Sequence, residues 1–242
     1  NELGIILIED CAHTMGAKWK GEKSGNFGKV ACFSTQTYKH INSGEGGIIT
    51  TNDPKVAARC VILSGSYMLF DRHVASPPSS VYRDVKLETP NCSARLDNLR
   101  AAILRPQLID LDMNIHRWNE RYRVVEDVLR DSKNLKIVER PDYEEFVGSS
   151  FQFHILHPDA KEIHSFIERC VQRGVEIKWF GPEEPKAFTS RYDSWRYFSD
   201  IPHLPETLKV LSTTCDIRVP LTFTLGDCKT IAEIIVEESE VL

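Results

Sequence analysis

Apolar residues fall into short unbroken runs early in the chain, and into helical stripes and alternating runs later. Ile5-Ile6-Leu7-Ile8 is continuous and β-branched, a pattern that predicts a parallel strand buried on both faces. The run stops at Glu9-Asp10. Two carboxylates are thereby placed at the carboxyl end of a strand, the edge at which open α/β sheets bind ligands. Val30-Ala31-Cys32-Phe33-Ser34 predicts a second strand of the same kind. Gly44-Glu45-Gly46-Gly47 reads as a turn, and Ile48-Ile49-Thr50-Thr51 as a third strand. Asn52-Asp53-Pro54 predicts a helix start. Residues 64–93, with Pro77, Pro78 and Pro90, read as irregular. From Arg95 onward, Leu96, Leu99, Ala102, Ile103 and Leu108 predict one apolar helix face with a kink at Pro106. A long amphipathic helix follows over 112–129. Residues 131–150 are polar and read as a link between domains. Beyond them the pattern predicts a strand over 150–156 and a helix over 160–173 stopped by Gly174. Strands over 175–179 and 217–221 and a last helix over 227–238 complete a small α/β domain. The expected domains are 1–149 and 150–242, and no internal repeat is visible.

A chain of 242 residues, 41% hydrophobic and 27% charged, is an ordinary globular mixture, which excludes disorder or low complexity as its main state. A net charge of −5 is a poor match for nucleic-acid phosphates, and the apolar runs are far shorter than a membrane span. Neither nucleic acid nor membrane is expected as a partner. The seven cysteines are odd in number, scattered, and free of any C-x-x-C pair. They read as reduced thiols of a cytoplasmic protein. The chain opens at Asn1, almost directly on a strand, which predicts further residues upstream.

The chemistry is concentrated in 9–51. Asp10 is followed three residues later by His13, and Ser34 five residues later by Lys39. A lysine just past a buried strand is unusual, since such positions rarely tolerate charge without a partner. Desolvation there frees an amine to attack carbonyls. A Schiff-base lysine with an aspartate on a pyridinium nitrogen is the arrangement a pyridoxal phosphate site needs. Each residue alone has a plainer reading: Asp10 a helix cap, His13 a solvent-facing imidazole, Ser34 structural, Lys39 a solvated loop residue. Gly44–Gly47 lacks the Gly-Lys-Ser/Thr ending of a phosphate loop. Cys11 and His13 could form half a metal site of a hydrolase with Asp10, but no second pair completes it. The joint order and spacing carry the information.

Three blocks, Ile8-Glu9-Asp10-Cys11-Ala12-His13-Thr14-Met15-Gly16-Ala17, Phe33-Ser34-Thr35-Gln36-Thr37-Tyr38-Lys39 and Asn42-Ser43-Gly44-Glu45-Gly46-Gly47, resemble the DegT/StrS family. These are pyridoxal-phosphate-dependent sugar aminotransferases of fold type I. Arg95-Leu96-Asp97-Asn98-Leu99-Arg100-Ala101-Ala102-Ile103-Leu104 resembles a helix of that family, and Arg173-Gly174-Val175-Glu176 the opening of a later strand. The resemblance implies an α/β chain: part of the large domain, a mainly parallel sheet with helices, plus a small C-terminal α/β domain. It also implies that the N-terminal part of the large domain is lacking, with its phosphate-binding helix start and stacking aromatic ring, so that one side of the sheet lies exposed.

The resemblance assigns roles residue by residue. Lys39 would hold the pyridoxal 5'-phosphate covalently and shuttle a proton, and Asp10 would pair with the ring nitrogen. His13 would sit beside the ring near its phenolic oxygen, and Ser34 would bond the phosphate. Asn42 to Gly47 would shape the mouth of the site, and the role of Gln36 is open. The family's Asn-x-Arg pattern is altered here: Asn91 is displaced by two and Ser93 takes the expected place ahead of Arg95. The implied activity is transfer of an amino group from an amino acid, glutamate, to a keto-sugar, commonly nucleotide-linked, in a homodimer that shares its sites. A keto-cyclitol acceptor is a close variant. Retention of Lys39 speaks against the related dehydratases, which carry histidine there. The competing reading is a truncated, non-catalytic remnant or accessory subunit.

Overall fold

The computed structural model describes residues 3–66, 68–156, 159–184, 191–197 and 199–242. The chain forms two compact units, Asn1–Met113 with Asp142–Val147, and Asn114–Pro141 with Gly148–Leu242. All seven cysteines are free thiols. Among the described residues no helix is long and apolar enough to cross a membrane.

The first unit is built on a three-stranded sheet ordered β1 (Ile8–Asp10), β4 (Val30–Ser34), β5 (Gly47–Thr50). β1 runs parallel to β4, with Asp10 opposite Cys32, and β5 runs antiparallel to β4. The predicted first strand is displaced. Ile5, Ile6 and Leu7 precede β1, because among the described residues its neighbouring strand begins at Val30; Lys29 N–H to Leu7 O continues the pairing one residue before it. The run is not buried on both faces either: Ile5, Ile6, Leu7 and Ile8 are 71%, 68%, 52% and 64% exposed. An apolar run reports what a strand can bury, and this one lies at a sheet edge.

Between β1 and β4 the chain makes a hairpin of β2 (Lys18–Trp19) and β3 (Glu22–Lys23) around Lys20 and Gly21, both at positive φ as a two-residue hairpin turn requires. β7 (Glu144–Glu145) pairs with β2, so residues 142–147 return to this unit instead of serving only as a link. Lys18 pairs with Glu145 at 2.7 Å, and Trp19 meets Tyr143 edge-on.

α1 (Pro54–Leu63) starts where expected: Asp53 caps it by accepting from Lys55 N and Val56 N. The stretch read as irregular holds α2 (Tyr82–Glu88), whose Tyr82 and Val85 bury against Ala58 and Ile62 of α1. Its signal is weak because the helix has seven residues and owes its stability to that packing rather than to its own turns.

α3 (Asn98–Ile109) is capped by Asp97 and passes through Pro106 before breaking at Asp110; α4 (Leu111–Leu129) follows. The predicted apolar face of α3 is a correction. Leu99, Ile103 and Leu108 are exposed, and Leu104 is the buried residue, packed with Met15 and Ile41. Phe33, Ile48, Leu96 and Leu111 surround that cluster.

The second unit is a four-stranded antiparallel sheet ordered β6 (Leu135–Ile137), β8 (Ser150–Ile155), β10 (Thr214–Arg218), β9 (Lys178–Trp179). Phe151, Phe153 and Ile155 alternate with Ser150, Gln152 and His154, so one face is buried and the other polar. β6 comes from the segment read as a linker; three residues are too few for alternation to show. α5 (Ala160–Gln172), capped by Asp159 and ended at Gly174 (φ +86°), carries the buried stripe Ile163, Phe166, Cys170. α6 (Pro205–Thr213) leads into β10, and α7 (Leu225–Ser239) closes the unit with Ala232 and Ile235 buried. Cys170 faces Cys215 of β10, and burial pushes the Cys170 thiol up to about 12, which keeps it a packing residue.

Candidate active site

The parallel pairing of β1 and β4 sets the site, since both strands end on the same side of the sheet. Asp10 closes β1 and Ser34 closes β4. Cys11 N–H bonds Cys32 O at 2.8 Å and carries the pairing one residue further. The two terminal side chains then act alike. Asp10 Oδ1 accepts from Ala12 N at 3.0 Å, and Ser34 Oγ accepts from Gln36 N at 3.3 Å. Each polar group turns its own loop away from the sheet.

Glu9 and Asp10, alike in sequence, do different work. Glu9 turns back into the fold. Its Oε1 accepts from Phe27 N (2.8 Å) and Gly28 N (2.6 Å), and its Oε2 from Gly25 N (2.8 Å). These bonds hold the loop before β4. That loop presents Ser24, whose Oγ lies 2.6 Å from Thr14 Oγ1 and 3.2 Å from Cys11 Sγ. The turn bearing Ala12 and His13 is thus tied down on both sides. Cys11 is engaged in this support and buried.

Lys39 and His13, 26 residues apart, are brought together: Lys39 Nζ lies 2.7 Å from His13 Nε2. An ammonium has donors only, so His13 Nε2 is the acceptor whenever Lys39 is charged. The loop reaches this position through a chain of local bonds. Gln36 Oε1 accepts from Tyr38 N at 3.0 Å, and Gln36 O accepts from Lys39 N at 3.0 Å. Thr35 N bonds Gly46 O and Thr37 N bonds Gly44 O, both at 3.0 Å, which folds 35–46 back on itself. Gly46 sits at φ +133°, where a Cβ would come within 2.7 Å of Thr35 Oγ1 and 2.8 Å of Leu96 Cδ1. The glycine turn therefore braces the lysine loop from beneath. Asn91 and Ser93 are used locally: Asn91 Oδ1 accepts from Ser93 N, and Ser93 Oγ accepts from Arg95 Nη2.

The sequence reasoning missed Gln107. Its carboxamide bonds both main-chain groups of Asn42, 65 residues away in the chain, and spacing alone carries no signal of that. The role of Glu9 had a faint signal, the glycines at 25 and 28, whose amides can approach a carboxylate closely.

The model of the DegT/DnrJ/EryC1/StrS aminotransferase family matches residues 1–236. The chain belongs to this family. Among its relatives, the L-glutamine:2-deoxy-scyllo-inosose aminotransferase of Streptomyces kanamyceticus is 39% identical over 45% of the chain and 25% of its own length. The GDP-perosamine synthase of Escherichia coli O157:H7 is 28% identical over 72% of the chain and 44% of its own length. The chain thus spans less than half of these relatives. Among solved structures, PseC from Helicobacter pylori, an aminotransferase involved in the biosynthesis of pseudoaminic acid, superposes with a TM-score of 0.82 at 14% identity. It covers 100% of the chain and 61% of PseC, and at that identity it speaks for the fold alone. The family implies pyridoxal phosphate as cofactor. The donor set of this site fits that group in kind: an amine beside an imidazole, with a carboxylate and a hydroxyl at two adjacent parallel strand ends.

Proposed function

We propose that this chain carries the lysine-bearing part of a pyridoxal-phosphate-dependent aminotransferase that moves an amino group from an amino acid to a keto-sugar. The observation that carries the reading is the Lys39–His13 contact at the ends of two parallel strands. When bound, pyridoxal phosphate supplies an aldehyde for a lysine amine and a ring that stores the electrons of a broken C–H bond. Lys39 is the amine, and after capture of the substrate its Nζ is the group that moves a proton. His13 holds Nζ in place through its own Nε2. Asp10 has one oxygen committed to Ala12 N and brings the negative charge that keeps a ring nitrogen protonated. Ser34 offers its hydroxyl to the phosphate.

The acceptor in this reading is a keto-sugar, commonly nucleotide-linked, with a keto-cyclitol as the close variant; of the two relatives above, one is named for a cyclitol ketone that it aminates and the other for a nucleotide-linked product. The donor is glutamate, with glutamine, the donor in the name of the Streptomyces relative, as the alternative; the yellow colour bleaches with the true donor and not with the other. We place the protein in the cytoplasm on its seven free thiols. A homodimer is supported by the exposed Leu99, Ile109 and Met113 on α3 and the start of α4. A truncated, non-catalytic remnant or accessory subunit is the second reading.

The test is direct. Purified chain mixed with pyridoxal phosphate turns yellow, and borohydride fixes one label that peptide mapping places on Lys39. Lys39→Ala abolishes that label, and Asp10→Asn reduces the yellow species. Label spread over surface lysines, or unchanged in Lys39→Ala, overturns the catalytic reading and leaves the accessory one.

A further inference from the structure

Two residues of α3 support both halves of the Lys39–His13 contact. Leu104 packs on Met15 and on Ile41, which lie two residues beyond His13 and two residues beyond Lys39. Ile41 is 1% exposed, so this plug is complete. The second support is polar. Gln107 Nε2 donates to Asn42 O at 2.7 Å, and Asn42 N donates to Gln107 Oε1 at 3.0 Å. The same Nε2 also donates to Ile103 O at 2.9 Å, one turn back on its own helix. A carboxamide bound at three points keeps one rotamer, and its pair of antiparallel bonds to one residue mimics a strand ladder. Asn42 is linked onward to Lys39, since its Nδ2 lies 3.5 Å from Lys39 O.

We infer that Gln107 is a positioning residue of the active site: its clasp on the Asn42 main chain fixes the 39–43 loop and so sets the Lys39 amine against His13. The inference rests on the function proposed above for Lys39, and Gln107 acts through Asn42 and not by touching a cofactor. Ile41, buried against Leu104, anchors the loop to the core. The clasp fixes its rotation, because it engages both the N–H and the C=O of one residue, which point to the same side of the chain and are held against Gln107 together.

The experiment uses the full chain with Gln107→Leu, which keeps volume and loses every bond, and Gln107→Glu, which keeps the acceptor for Asn42 N–H and loses the donor. Three readouts are taken: amide hydrogen exchange at Asn42, acetylation of Lys39 by acetic anhydride mapped by mass spectrometry, and borohydride trapping of pyridoxal phosphate at Lys39. In Gln107→Leu the Asn42 amide exchanges about tenfold faster, as expected for loss of one to two net hydrogen bonds. Amides inside α3 stay protected, Lys39 acetylation changes rate, and half-saturating pyridoxal phosphate rises by a similar factor. Gln107→Glu falls between, and decides the matter should Gln107→Leu not fold. An Asn42 amide that stays protected, or one set free with Lys39 acetylation unchanged, overturns the inference. Failure of the wild-type chain to trap pyridoxal phosphate counts against the proposed function alone, because exchange and acetylation still read the clasp without any cofactor.

Discussion

At the scale of single residues, environment separates side chains that sequence makes equivalent. Asp216 of β10 lies on the polar face of its sheet, half-buried and bonded by Gln152 Nε2. Burial raises its carboxyl above the ordinary range; the bonds from Gln152 and Ser150 and the charges of Arg218 and Lys178 offset this only in part. A carboxyl raised in the folded state stabilises the fold fully below its unfolded value, near 3.9, and that contribution is lost as pH rises through the folded value. Asp216→Asn keeps the acceptor and removes the buried charge. Its Tm at neutral pH is expected to rise by on the order of 2 °C, with the gain shrinking to nothing toward pH 3. A lower Tm at pH 7 would show that the charge is stabilising where it sits, and a gain that persists in acid would show that it does not come from removing the charge. The same dependence on environment explains what was legible at the site. Lys39, His13, Asp10 and Ser34 stood out as candidates because their residue types match one chemistry at one spacing, and the structure brings the first two into contact. The separate task of Glu9 was not legible, because a carboxylate facing three amides and one facing solvent look alike in a string. Gln107 was hidden more deeply, since its partner is main chain, which has no sequence identity at all.

At the scale of elements, helices with strong stripes and caps were legible, and short elements held by their neighbours were not. α5 shows its stripe, cap and terminal glycine in one stretch, whereas α2, β6 and β7 exist only through contacts with α1, β8 and β2. The face of α3 was misjudged for a related reason. Its leucines and isoleucines lie on more than one side, and only tertiary packing chooses Leu104 as the buried one. α5 and α7 are also joined by charge. Glu238 accepts from Arg169 Nε and Arg173 Nη1, both at 2.9 Å, Arg169 Nη2 bonds Glu238 O, and Arg173 reaches Glu237 at 2.8 Å. Arg173 first, then Arg169, hold the Glu238 carboxyl below its usual range against the opposing effect of burial. A carboxyl depressed in the folded state contributes stability above its unfolded value, near 4.3, and loses it as pH falls through the folded value. Glu238→Gln is therefore expected to lower Tm by roughly 2 °C at neutral pH, with the two melting curves merging below about pH 4. Salt at about 1 M should shrink the gap, since screening reaches this partly open cluster. A gap that is independent of pH would assign the loss to packing instead of charge.

At the scale of the molecule, the described residues of the first unit include an apolar strand edge and an apolar helix face that stand in solvent, and they make different predictions. One is Ile5 to Ile8, exposed apolar side chains where β1 is the edge strand of its sheet among the described residues. The other is α3, with Leu99 and Ile109 73% and 77% exposed. A strand edge of this composition is a template for pairing with a further strand, and charge placed on it is the usual deterrent. A helix face instead buries against another helix and is disrupted by charge on the helix itself. The chain is thus expected to associate as its concentration rises. If the β1 edge drives this, Ile6→Lys lowers the associated fraction in sedimentation velocity, and Leu99→Lys leaves it unchanged. If α3 drives it, as the proposed homodimer requires, the two variants exchange outcomes. Neither substitution should move Tm by more than about 0.5 kcal/mol would, because each side chain already lies mostly in water. A chain that stays monomeric throughout removes both surfaces as association sites, and with them the structural support for a site shared between two copies.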